Sequence, residues 1–248
     1  MKFFDTFNEN GVFMSAEDEH DVHYKGLWHK VARLWLYDAE GNLYLRRRKE
    51  DNKLDCLNEL HVLSSESVSG CFDRGMFEKL NTHFPATSSF KQVTTKKVKK
   101  HKVFSDNSEI KDNYFLCDCI GEYDKTAKFF LFSPDTVGLV KCNAKGILNL
   151  ITSRTGEVVC YNIDPTNPSK LTKEIITIEN IYENSEEDTY EKYSYVVNEI
   201  DASALKHKKE LREQEKMQEL IEKKKPQIDD EEVPFVSHAD ENEGIDIY

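Results

Sequence analysis

The 248-residue sequence has no long apolar run. Met1–Gly11 (MKFFDTFNENG) lacks the hydrophobic stretch of a secretory leader. No later segment carries the roughly 20 apolar residues that a membrane span needs. No internal repeat is visible. Paired metal-binding cysteines are missing too. The six cysteines are Cys56, Cys71, Cys117, Cys119, Cys142 and Cys160. Cys117-x-Cys119 has the wrong spacing for zinc and no second pair to complete it. Alternation along a strand would put both of its side chains on one face. With no leader, the expectation is reduced thiols in a cytoplasmic protein. Basic residues are not in excess: 34 Lys and Arg stand against 46 Asp and Glu, a formal charge of −12. That balance argues against a general nucleic-acid binder or a protein of anionic membranes, although local basic patches survive.

What is present points to a core for part of the chain only. Hydrophobic residues make up 38% and charged residues 32%. Three parts are expected: a folded domain over 1–200, a charged helix over 201–225 and an acidic, disordered tail over 226–248. Asp201–Lys225 is almost all Lys, Glu, Arg and Gln, which favour helix. Its apolar residues, Leu211, Met217, Leu220 and Ile221, form only a thin stripe, so it reads as a solvated helix or as a short coil for a protein partner. Pro226 ends it, and the acidic segment that follows lacks periodicity.

The folded part reads as mixed α/β. Val31–Tyr37 and Leu43–Arg47 are strands joined by the turn Asp38–Asn42, which contains Gly41. Ser67–Leu80 carries Val68, Phe72, Met76 and Leu80 at four-residue steps and predicts an amphipathic helix. Val93–Val103, Tyr114–Ile120 and Lys128–Phe132 are further strands. Ala144–Ile151 is a helix and Pro165–Pro168 a loop. Tyr190, Tyr193, Val197 and Ile200 have the spacing of a helix that docks on the domain, with Asp188 or Thr189 as its cap.

The order hairpin, loop, helix, strands, helix carries a resemblance. Gly26-Leu27-Trp28-His29-Lys30-Val31, a strand, a glycine turn and Leu43-Tyr44-Leu45-Arg46-Arg47-Arg48 resemble the start of Nudix hydrolase domains of the isopentenyl-diphosphate-isomerase-like branch. Phe7–Gly11, Phe132–Val140 and Tyr190–Tyr193 are similar to other segments of that branch, in the same order. The resemblance covers roughly Met1 to Ile200 and implies an α/β (α+β) fold, a Nudix-type mixed-sheet α/β/α sandwich. It also implies a loop-helix signature, G-x5-E-x7-R-E-U-x-E-E-x-G-U with U aliphatic, whose carboxylates hold Mg²⁺ while a diphosphate bond is cut.

Laid on this chain, the signature runs from Leu60 to Thr82. Glu66 stands at the first Glu, Arg74 at the Arg and Glu78 at the first Glu of the pair. Gly75 replaces one expected carboxylate and Lys79 another. The resemblance therefore implies Glu78, Glu66 and Arg74 as the catalytic set and Glu78 with Glu66 as metal ligands, in a degenerate box that puts Mg²⁺ itself in doubt. Arg46, Arg48, His61 and Lys79 are the candidate contacts to a phosphorylated small molecule. Lys79 either takes the place of the metal, or pairs with Glu78 or faces solvent. Arg46 and Arg48 share one face of their strand by alternation. The isomerase reaction lacks its cysteine, because Glu59 stands two places before His61. Tyr114, in Asp112-Asn113-Tyr114-Phe115, occupies the place of a later Glu. His29, His61 and Asp55 suggest a catalytic group, but no motif sets a Ser or Cys nucleophile beside them. Lys96–Lys102 is the densest basic run; without interleaved aromatics it reads as a strand edge guarded by lysines. Three functions follow: a binder of a nucleotide, a diphosphate compound or a partner, with weak or no hydrolysis; a divergent diphosphate hydrolase; or an interaction protein acting through its charged helix.

Overall fold

The computed structural model describes residues 1–72, 74, 90–103, 109–122, 136–164, 167–183 and 189–223. The chain divides into two compact units, Met1–His207 and Lys208–Tyr248. The predicted strand Lys128–Phe132, the segment of Ser67–Leu80 that holds Glu78 and Lys79, and the acidic tail lie outside the described residues.

The first unit is built on a mixed sheet. Its strands are β3 (His29–Tyr37), β4 (Asn42–Arg48), β5 (Leu54–Asp55), β6 (Asn58–His61), β7 (Lys91–Val103), β8 (Glu109–Glu122), β9 (Thr136–Asn143), β10 (Val158–Asp164) and β11 (Asn167–Ile176). They run in the order β11-β10-β9-β4-β3-β8-β7, with β5 on β4 and β6 on β3. A separate ribbon pairs β1 (Phe3–Phe7) with β2 (Phe13–Asp18). The helices are α1 (Glu19–Lys25), α2 (Ala144–Ser153) and α3 (Thr189–Lys223). The expected α/β (α+β) class is what the chain adopts.

The predicted hairpin β3–β4 forms, but it pairs only at Leu36↔Tyr44 and Tyr37↔Leu43. Beyond the turn the two strands splay. The gap is filled by β6 on β3, with Val31 opposite His61, and by β5 on β4, with Arg46 opposite Asp55. On its other edge β3 runs parallel to β8, from His29↔Tyr114 to Tyr37↔Glu122.

Alternation along β3 sorts the core into two faces. Trp35 and Tyr37 face α2 and α3, together with Leu43, Leu45 and Val140. Ala32, Leu34 and Leu36 face the other way, toward Cys71 and Phe72 on the helical backbone that begins at Gly70. Helix therefore covers both sides. The side chain of Asn143 caps α2 by accepting from the Gly146 N–H, and Arg154 closes the helix in the left-handed conformation at φ 54°. The docking face predicted for Tyr190–Ile200 appears as Tyr193, Val196, Val197 and Ile200, all buried at i, i+3, i+4 and i+7.

Two buried charges bind α3 to the sheet. Lys192 donates to Asp55 Oδ1 at 2.7 Å, and the Tyr195 hydroxyl donates to Asp118 Oδ2 at 2.9 Å. Asp118 also accepts from Arg33 Nη2 at 3.0 Å, Trp35 Nε1 at 2.8 Å and Thr94 Oγ1 at 2.9 Å. Burial alone would raise its pKa; the Arg33 charge and these hydrogen bonds outweigh burial and hold it below the usual carboxylate value. In the second unit, the helix through Lys223 carries exposed Leu211, Met217, Leu220 and Ile221. No helix among the described residues is long and apolar enough to cross a membrane.

The cysteines correct one expectation. Cys142 and Cys160 stand directly opposite on β9 and β10 and are joined in a disulfide, with Cα atoms 4.6 Å apart. Antiparallel pairing brings opposed Cα atoms about this close at non-hydrogen-bonded positions, a contact that strand patterns 18 residues apart do not reveal. Cys56, Cys71, Cys117 and Cys119 are free and buried.

Arg33→Met leaves Asp118 as an uncompensated buried charge, and urea unfolding at pH 7 should register a loss of about 3–5 kcal/mol. In the native chain the Asp118 contribution is complete above the unfolded carboxylate pKa of about 3.9 and fades as pH falls through the lower folded value. Removing Arg33 raises that folded value, so the variant should keep little of the pH dependence of stability that Asp118 confers below pH ~4.

Candidate metal centre

Four elements converge at the end of the sheet where β3 begins. Asp18 caps α1 by accepting from the Asp21 N–H at 3.1 Å. Gly26 ends the helix at φ 62°. A Cβ at Gly26 would stand 2.7 Å from Cβ of Lys111, so only glycine lets α1 lie this close to β8. The Asn113 amide donates to the Gly26 carbonyl at 2.7 Å and holds the contact. This placement sets His23 of α1 against Asp112 of β8, with Nδ1 3.1 Å from Oδ1. His29 opens β3 and His61 ends β6. Their facing nitrogens, His29 Nε2 and His61 Nδ1, are 3.1 Å apart. Asp112 Oδ1 lies 3.7 Å from His29 Nε2.

One donor atom from each of His23, His29 and His61 lies within 4.8 Å of the others. The Phe4 ring packs on all three imidazoles, with centroids 5.5–6.3 Å away. His29 Nδ1 lies 3.2 Å from the Leu27 carbonyl. That oxygen only accepts, so Nδ1 carries the proton and Nε2 is left as a lone pair. His61 Nδ1 then donates to it.

The electrostatics favour the neutral form at two of the three imidazoles. Burial lowers the pKa of His29. Burial, with the neighbouring His29, lowers that of His61 to about 4. The hydrogen bond to Asp112 raises that of His23 against a partial burial cost. Asp112 is held low despite burial by the His23 hydrogen bond and the imidazoles around it. Three imidazoles and one carboxylate are the donor set of a divalent transition-metal site rather than an all-oxygen magnesium site.

The residues singled out from the sequence fall in three places. His61 belongs to this cluster and His29 joins it. Asp55 does not; it is the buried partner of Lys192, with Arg46 and Arg48 each 3.8 Å from its other oxygen. Arg46, Arg48, Lys49 and Glu50 line a separate cleft of about 560 Å³. Arg48 also stacks on the Tyr182 ring at 3.6 Å, and the buried Arg46 Nε has no hydrogen-bond partner among the described residues. Glu66 and Arg74 pair with each other. Arg74 Nε donates to Glu66 Oε1 at 2.9 Å, the Leu63 N–H donates to Glu66 Oε2 at 3.0 Å, and Arg74 Nη2 donates to the His61 carbonyl at 2.8 Å. Glu66 thus clasps the loop after β6 and fixes the backbone that carries His61. Glu78 and Lys79 lie outside the described residues. His23 and Asp112 as ligands have no local sequence signal, because a seven-residue helix and a strand bring them together from 89 residues apart.

Arg74→Ala frees both the Glu66 carboxylate and the His61 carbonyl. Hydrogen exchange at the Leu63 amide should accelerate roughly tenfold, the effect of losing about one charge-assisted hydrogen bond.

No protein-family model and no curated protein matches the sequence. Among solved structures, the chain is similar to the crystal structure of DR0079 from Deinococcus radiodurans, at 20% identity over 61% of this chain and 89% of that one, with a TM-score of 0.40. The solution structure of DR0079, described as a hypothetical Nudix protein, matches at 18% identity over 55% of this chain and 75% of that one, with a TM-score of 0.30. Likenesses this slight transfer neither a ligand nor an activity.

Proposed function

We propose that this chain is a metal-binding protein of Nudix type that acts on or holds a phosphorylated small molecule, with its metal centre at His23, His29, His61 and Asp112 rather than in the degenerate box. The convergence of three imidazoles and a carboxylate under Phe4 carries this proposal. The ordered resemblance over roughly Met1–Ile200 and the helix-covered mixed sheet support the family.

The chemistry of the donors agrees with the assignment. His29 and His61 are held neutral, so a cation need displace only the proton between His29 Nε2 and His61 Nδ1 to reach both lone pairs. Asp112 supplies the negative charge that offsets part of the cation. The Leu27 carbonyl orients His29, as an outer hydrogen-bond partner should. A divalent cation bound at the cluster supplies Lewis acidity and acidifies a coordinated water. In the box, by contrast, the Glu66 carboxylate is engaged by Arg74. The cleft at Arg46 and Arg48 sets both guanidiniums among Glu50, Asp51 and Asp55, and the Arg46 Nε left without a hydrogen-bond partner among the described residues is a donor suited to the anionic group of the ligand.

Titration with Co²⁺, followed by visible absorption, should reveal one tight site in the native chain. His61→Ala should abolish it, and Asp112→Asn should weaken it by roughly 10–100-fold, the cost of losing an anionic member of such a site. Glu66→Gln should leave it intact. Magnesium-dependent phosphate release from a panel of nucleoside diphosphate derivatives should be absent or weak. Strong release that needs Glu78 and ignores His61 would return the active centre to the box.

A further inference from the structure

A cleft of about 470 Å³ opens in front of α1, lined in part by Lys2, Asp18, Glu19, His20, His23 and Glu109. His23 is the member of the histidine cluster that lines it. The His23 side chain is 24% exposed, whereas that of His29 is 0%. The Phe4 ring packs against all three imidazoles. We propose that this cleft is the path by which a divalent cation reaches the cluster, and that Glu19 speeds its capture while Lys2 opposes it. The inference rests on the metal reading above and goes beyond it by assigning the route and the residues that govern it.

Charge makes the case for the route. Asp18, Glu19 and Glu109 line the cleft against Lys2 and the Met1 amino group, so carboxylates outnumber cations at the mouth. Glu109 is partly offset by His101 and Lys111, at 3.2 and 3.8 Å. Asp18 is engaged at the helix cap. Glu19 has no such partner among the described ion pairs, and its field reaches His23. Lys2 brings a basic side chain to the mouth, and its field reaches His61. The other cleft is lined by Arg46, Arg48, Lys49 and Glu50 and, among the described residues, by no member of the histidine cluster. A negative, apolar-walled cleft focuses the field and raises the rate of cation encounter, and salt weakens the effect.

The test is stopped-flow mixing of the full chain with Co²⁺, reading the growth of its visible absorption. Glu19→Gln should slow association roughly threefold and Lys2→Gln should speed it by about the same factor, with both variants filling to the same final amplitude. Both differences should shrink as salt is raised to about 0.5 M, where the screening length falls to roughly 4 Å. Association rates equal to the native rate in both variants would overturn the route, even with the site filling normally. No cobalt spectrum in the native chain would overturn the metal reading itself, and the route with it.

Discussion

The parallel pairing of β3 with β8 is the constraint on which the rest depends. Both strands are central, and between them they carry His29, Arg33, Trp35, Asp112, Tyr114 and Asp118. Asp118 locks that pairing. It gathers donors from β3, β7 and α3 around one buried carboxylate. A slip of one residue would turn Asp118 to the opposite face, away from Arg33, and would separate Asp112 from His29 in the same step. A charge pair this deep adds little net stability over an apolar substitute. Its effect here is geometric, because the same register sets both the core and the histidine cluster.

Much of the fold was legible in the sequence. The β3–β4 hairpin, the Lys-rich strand, the helix at Ala144 and the apolar stripe of Tyr193, Val197 and Ile200 follow from period and turn chemistry. β5 and β6 did not, because Leu54–His61 is short and neither alternates nor steps as a helix does. They exist because the hairpin splays and its open edges need partners. α1 was missed because seven residues are too few for a periodic signal, although Asp18 stood ready as a cap. β8 begins earlier than its apolar core because the polar stretch from Glu109 pairs with the lysines of β7.

The site was legible only in fragments. His29 and His61 drew notice beside Asp55, yet β5 turns Asp55 away toward Lys192. Asp112 drew notice as a neighbour of Tyr114, two residues away on the same face of β8. What joins these fragments is tertiary. A helix, the first residue of one strand and the last of another meet at one point, and each separation along the chain is too long for a motif. Glu66 and Arg74 show the converse: residues matched to a catalytic signature spend their charges on holding a loop.

The disulfide between Cys142 and Cys160 has a topological consequence. The whole of α2 lies between the two cysteines in sequence. The bond therefore closes a covalent ring that runs through that helix, with the strands on either side as its exits. A single backbone cut anywhere inside the ring leaves the amino-terminal and carboxy-terminal portions tethered, and α3 stays attached to the sheet it covers.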